Sequence, residues 1–187
     1  GCATTSGKLL TYTRNNDIAN LEFLAKLPGN LGGLVKMNAG LKSWEMFNYI
    51  HSIKTKDGYI KKEDVDFSYR ETKINTIVYE VVFNIEFGFS KEKLKEFNKM
   101  RDNQPHVPSA GSCFKNPKGD FAGRLIEAVG LKGIKQGDMS FSEQHANFLV
   151  NYGNGSFEDA VYLIEVAKKK IKEEFSIDIE EEIIIYK

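Results

Sequence analysis

Apolar and polar positions alternate most regularly between Thr76 and Phe87. There Ile77, Tyr79, Val81, Phe83, Ile85 and Phe87 are apolar, while the even positions include Glu80, Asn84 and Glu86. A period of two predicts a half-buried strand. Ser90 follows as a helix cap, and Leu94, Phe97 and Met100 make a narrow stripe along a helix over 91–102. The other clear helix begins at Ser156-Phe157-Glu158-Asp159, which fits a capping box. Its apolar face is formed by Phe157, Ala160, Val161, Ile164, Ala167, Ile171 and Phe175. Shorter patterns predict a helix from Asp17, as N-cap, to Ala25, and another opened by Asp120 and ending at Gly130. Asn147 to Asn151 and Ile183 to Tyr186 are apolar runs of strand length. Three prolines between Pro105 and Pro117 exclude regular helix, leaving an ordered loop or irregular strand. The reading is α+β, in two lobes divided near residue 88.

Composition narrows the partners. Lysine plus arginine equals aspartate plus glutamate at 26 each, so no net field draws the chain to nucleic acid or to an anionic membrane. Cys2 and Cys113 lie far apart and read as reduced thiols. His51, His106 and His145 form no zinc-gripping pair, and no metal site is legible. No apolar run approaches bilayer length and no signal peptide is visible, which makes the cytoplasm the default location. The start lacks a methionine and runs straight into structured-looking sequence, so the chain is expected to begin mid-protein.

Chemistry concentrates in a few stretches. Pro108 to Pro117 carries hydroxyls, a thiol, an ammonium and an amide on a proline-stiffened loop, which suits ligand binding. A surface turn whose serines and asparagine satisfy their own backbone is the alternative. Arg70, just before the long strand, could clamp a carboxylate in bidentate fashion or be a solvated surface charge. The stretch from Pro28 to Gly40 has four glycines in thirteen residues. Such a stretch lets backbone approach either a ligand or another strand closely, and it is not a dinucleotide fingerprint of the G-x-G-x-x-G kind. Of Glu180, Glu181 and Glu182, none stands out on chemistry alone.

Read in order, LEFLAKLPGNLGG, MNAG, FSYRET, VPSAGSCFKNP, AGRLIEAVGLKG, SEQHANFLVN and EEEIII cover nearly the whole chain. Together they resemble the UDP-N-acetylenolpyruvoylglucosamine reductase family. The resemblance implies part of a VAO/PCMH-like FAD-binding domain over 1–88 and a substrate-binding C-terminal domain over 89–187. It implies reduction of UDP-N-acetylglucosamine enolpyruvate to UDP-N-acetylmuramate for peptidoglycan, with FAD and NADPH as cofactors, by a monomer.

By position it assigns catalysis to Arg70, Ser112 and Glu182, with Glu181 as the fallback because the family usually reads P-E-V there. It assigns substrate contacts to Tyr69, Lys115, Asn116 and His145, although Lys115 could equally be a surface charge. Flavin contacts fall on Gly29, Gly32, Gly33, Asn38 and Gly40. Leu41-Lys42-Ser43 stands where the family often has Ala-Tyr-Gly, so a tyrosine contact there does not carry over. The family's front lobe, with a glycine- and serine-rich loop around the FAD diphosphate, has no counterpart in this sequence, so FAD is not expected to be retained by this chain alone. Two rivals remain open: an inactive fragment that keeps UDP-sugar binding, and another flavoenzyme of the same broad fold.

Overall fold

The computed structural model describes residues 1–186. The chain forms two compact units, Gly1–Asp102 and Asn103 onward, so the division falls after the helix at 91–100 and not near residue 88. The reason is Phe97: it is buried in the first unit's core, with Leu94 and Met100 packed against the same cluster. That apolar stripe ties the helix to the strands before it.

In the first unit, α1 (Ser6–Asn15) opens on Thr5, whose hydroxyl accepts from the Lys8 amide. Its weak apolar pattern hid it from the sequence reading. The helix expected over 17–25 is absent. Asp17 and Asn20 have φ of 54° and 71°, Ile18 bridges Phe87, and the Ala19 amide donates to Glu86 O. Pairing with 86–88 therefore captures backbone that a helix would use internally, and a single tight turn at Glu22–Leu24 remains. Buried Glu22 accepts from the Ser90 amide at 2.8 Å and so anchors the start of the later helix.

A short helix α2 (Leu31–Lys36) is followed by the hairpin of β1 (Gly40–Leu41) and β2 (Trp44–Glu45). Next come β3 (Ile50–Thr55) and β4 (Gly58–Lys61), then the hairpin of β5 (Phe67–Ser68) and β6 (Glu71–Thr72), then β7 (Glu80–Phe83). The order β4-β3-β7 is antiparallel throughout. The strand expected over 76–87 is thus four residues long. Val81 and Phe83 pack against the core, but Val78 is buried whereas Ile77 and Phe87 are 69% and 74% exposed, so the alternation holds only within β7. Phe23, Met46, Phe47, Ile50 and Ile53 fill that core, and α3 (Lys91–Met100) closes the unit with Ser90 Oγ accepting from the Lys93 amide.

The second unit has β8 (Ser109–Ser112), α4 (Ala122–Ala128), β9 (Lys135–Gln136), β10 (Met139–Phe141), β11 (Phe148–Asn151) and α5 (Phe157–Phe175). Its sheet runs β8-β11-β10-β9, all antiparallel. The capping box at Ser156 and Asp159 is present, and α5 lays Leu163, Ile164, Ala167 and Ile171 against Phe114, Leu125, Ile126 and Phe141. α4 starts two residues later than expected because Asp120 turns its carboxylate to the Phe121 amide and the Arg124 guanidinium. Ile183–Tyr186 is not a strand. The chain pairs at Glu181 with Phe114, and Pro117, which has no N–H, lies just beyond the pairing stretch. The mixed helix-and-sheet class agrees with the sequence reading.

Candidate functional site

In the first unit, Tyr69 and Arg70 form the two-residue turn between β5 and β6. Arg70 takes φ +58°, a region costly for a long side chain. It is nevertheless 9% exposed, which excludes the solvated-charge alternative. Its Nη1 donates to Glu45 Oε1 at 3.0 Å and to Asn38 O at 3.3 Å, and its guanidinium lies 4.7 Å from the Tyr69 ring centroid. Asn38 is fully buried: its amide nitrogen reaches Glu45 Oε2 and Ser68 O, each at 2.9 Å, and its oxygen accepts from the Phe47 amide. Asn38 thus holds Glu45, and both hold Arg70.

The glycine segment also serves the fold. A Cβ on Gly40 would run into Trp44 O and Glu45 Cα of the adjoining hairpin strand. The Gly32 amide donates to Cys2 O and that of Leu31 to Thr4 O. Gly29 has φ +106°, and a Cβ on Gly33 would meet nothing within 4 Å. Of the five positions, Gly33 is the one whose bare backbone lies open.

In the second unit, Ser112 ends β8 opposite Phe148, half-buried, and its hydroxyl makes no hydrogen bond among the described residues. The next residues are clamped by Asn147, which is buried. Its side chain accepts from Phe114 N at 3.0 Å and donates to Phe114 O at 2.8 Å, while its carbonyl accepts from Cys113 N. Across from this stretch, Lys115 N donates to Glu180 O and Glu182 N donates to Cys113 O, each at 2.8 Å. Glu182 therefore sits beside the residue that follows Ser112.

Glu181 is engaged elsewhere, with Lys168 of α5 at 2.9 Å. Burial pushes its carboxyl up, but the hydrogen bonds from Lys168 and its own backbone leave it below the usual range. Burial, followed by the charges of Glu181 and Glu182, pushes the Cys113 thiol up to about 12, so it is no nucleophile at neutral pH.

Lys115 reaches Glu180 at 3.5 Å, and Asn116 Oδ1 accepts the Ala122 amide, helping to cap α4. Burial lowers the His145 pKa, with the Lys132 charge adding to it against a raising backbone bond. With Nδ1 accepting from Asn147 N, its Nε2 carries the proton and is a donor. The second unit brings Ser112, Glu182, Lys115, Asn116 and His145 onto β8, β11 and the segments flanking them.

A family model described as UDP-N-acetylenolpyruvoylglucosamine reductase, C-terminal domain, matches residues 103–186. A curated UDP-N-acetylenolpyruvoylglucosamine reductase from Campylobacter jejuni is 49% identical over 185 residues, which is 99% of this chain and 72% of the relative. One of the same name from Helicobacter hepaticus is 47% identical over 99% of this chain and 70% of its own length. The chain belongs to the UDP-N-acetylenolpyruvoylglucosamine reductase family. It is similar across its whole length to the crystal structure of the reductase from Thermus caldophilus, with TM-score 0.88 and 31% identity, covering 71% of that chain. The family is one of oxidoreductases, and membership removes the rival flavoenzyme of another family. The first unit's boundary and the start of the matched C-terminal domain coincide at residue 103.

Within this reductase fold, three residues that the sequence reading passed over matter, each within its own unit. Glu45 holds Arg70, Asn147 clamps Phe114, and Arg101 is buried at the end of α3. Asn147 lay inside a segment already singled out. Glu45 and Arg101 looked like ordinary surface charges, because nothing local distinguishes a charge whose burial depends on distant chain.

Proposed function

We propose that the chain carries out the NADPH- and FAD-dependent reduction of UDP-N-acetylglucosamine enolpyruvate to UDP-N-acetylmuramate, a cytoplasmic step of peptidoglycan synthesis, as a monomer. The observation that carries the reading is the backbone pairing of Glu182 with Cys113, the residue that follows Ser112, whose hydroxyl has no hydrogen-bond partner among the described residues.

Arg70 clamps the substrate carboxylate with its planar fork. Glu182, in its neutral form, donates to the same carboxylate, so both groups stabilise negative charge as it develops next to the carbon under reduction. Ser112 gives its proton to the neighbouring carbon, the one on which that charge develops, and is reprotonated from solvent. His145 Nε2, Lys115, Asn116 and Tyr69 supply donors and a ring edge for the diphosphate and sugar.

The flavin would supply to the terminal enolpyruvyl carbon the hydride taken from NADPH. The residues present fit its ring at Gly33, where the bare backbone is open, with Gly29 alongside. They do not fit its diphosphate at this turn, because the Leu31 and Gly32 amides are already bonded to Thr4 and Cys2. That mismatch favours a second reading, recognition of the UDP-sugar without turnover. Flavin absorbance of the purified protein, together with substrate-dependent NADPH oxidation, separates the two.

In the flavin-loaded protein, Ser112→Ala should leave reduction by NADPH near the parent rate and slow reoxidation by substrate about a thousandfold or more. Equal slowing of both half-reactions removes Ser112 from proton delivery.

A further inference from the structure

Arg101 caps the C-terminal end of α3 and is 6% exposed. Its Nε and Nη2 have no hydrogen-bond partner among the described residues. These two donors form one edge of the guanidinium, the edge that meets two adjacent acceptors of a planar group side-on. A buried charge left in this condition is unfavourable unless something else engages it. Burial first, and then the nearby charge of Arg70, lowers its pKa to about 10, so it stays a cation at neutral pH.

The carboxylate bonded to Arg70 and the one that follows Arg101 in sequence are both engaged. Glu45 gives one oxygen to Arg70 and the other to Asn38, and the adjacent Asp102 pairs with Lys26 at 2.6 Å. The first unit therefore buries two cations, Arg70 and Arg101, with Glu45 bonded to the first. The arrangement favours entry of a negative group with two acceptors.

We propose that Arg101 is a second anion-binding residue beside Arg70, receiving a planar group with two adjacent acceptors on its Nε/Nη2 edge. Two ligands of the reaction proposed above share that chemistry: the substrate carboxylate, and the N1–C2=O edge of the flavin ring. The source rests on that proposed function, whereas binding of a small carboxylate does not.

The first arm therefore uses formate. Titrated into this chain at constant ionic strength against chloride, formate should raise the unfolding midpoint saturably and shift the Arg101 Nε resonance. Arg101→Met, which keeps the aliphatic stem, should abolish the rise while leaving the ligand-free midpoint equal to or above the parent's. Arg101→Lys, which keeps charge but not the fork, should weaken formate at least about tenfold. A formate response that survives Arg101→Met, or that keeps its parental strength in Arg101→Lys, overturns the proposal, as does its absence in the parent.

The second arm uses the flavin-loaded protein. Weakening of UDP-N-acetylmuramate but not UDP-N-acetylglucosamine in Arg101→Lys places the anion on the substrate. A shift in flavin affinity or reduction potential places it on the ring, and no change in any of these overturns the role. Loss of turnover in the parent protein would refute the proposed function alone and leave the formate result standing.

Discussion

Arg70 adopts a left-handed backbone conformation at a two-residue turn, which costs on the order of 1–3 kcal/mol for a non-glycine residue. The bonds to Glu45 and Asn38 and the Tyr69 ring hold it there. Because the fork geometry and not charge alone is used, Arg70→Lys should lower kcat/KM nearly as far as Arg70→Ala, about a hundredfold or more. Steady-state kinetics of the flavin-loaded protein check this, and full activity in the lysine variant would refute the clamp.

Asp120 tests the electrostatics at the same scale. The Arg124 hydrogen bond first, then the Phe121 amide, hold its pKa down to about 2 against an ordinary value of 3.8. A depressed carboxylate stabilises the fold above the ordinary pKa, and that contribution is lost as pH falls from about 3.8 towards about 2. Carboxyl-resolved NMR titration should find Asp120 among the last carboxylates to protonate, and Arg124→Ala should move it back up.

Elements were legible where local chemistry and burial agree. The capping box at Ser156 and the cap at Ser90 needed no distant partner, and both helices begin where the sequence puts them. Ser156→Ala should destabilise by about 1 kcal/mol, read from the denaturant midpoint. The helix expected over 17–25 failed because residues 86–88, some seventy positions away, claim its backbone. The terminal strand failed for a related reason: Cys113 to Lys115 offers it a short ladder.

Asn147 makes the point quantitatively, since it satisfies both polar groups of buried Phe114. Asn147→Ala leaves two buried groups unpaired and should cost roughly 2–4 kcal/mol. Circular dichroism melts check it, and a loss below about 1 kcal/mol would show that the Ser112 loop is held by other contacts.

For the whole molecule, two cores mean two folding units. The second collects Phe114, Leu125, Phe141, Leu163 and Ile171 into a cluster of its own, and it matches a recognised C-terminal domain from residue 103. Residues 103–187 expressed alone should give a cooperative thermal transition, because a domain of this size can bury enough apolar surface to be stable. A broad, non-cooperative melt would mean that the unit depends on the first 102 residues. The chain spans 72% of the Campylobacter relative.

The sequence by itself determined the α+β class, the caps, the family and the segments that carry chemistry, because these rest on local spacing and on ordered motifs. Tertiary structure alone decided which charges are withdrawn from solvent and how far: Arg70 buried on Glu45, Glu181 half-buried on Lys168, and Arg101 buried with its Nε/Nη2 edge turned to no partner within the described chain. The same side chain is a solvated surface charge or a desolvated binding group according to what distant residues place around it, and no local pattern records that environment.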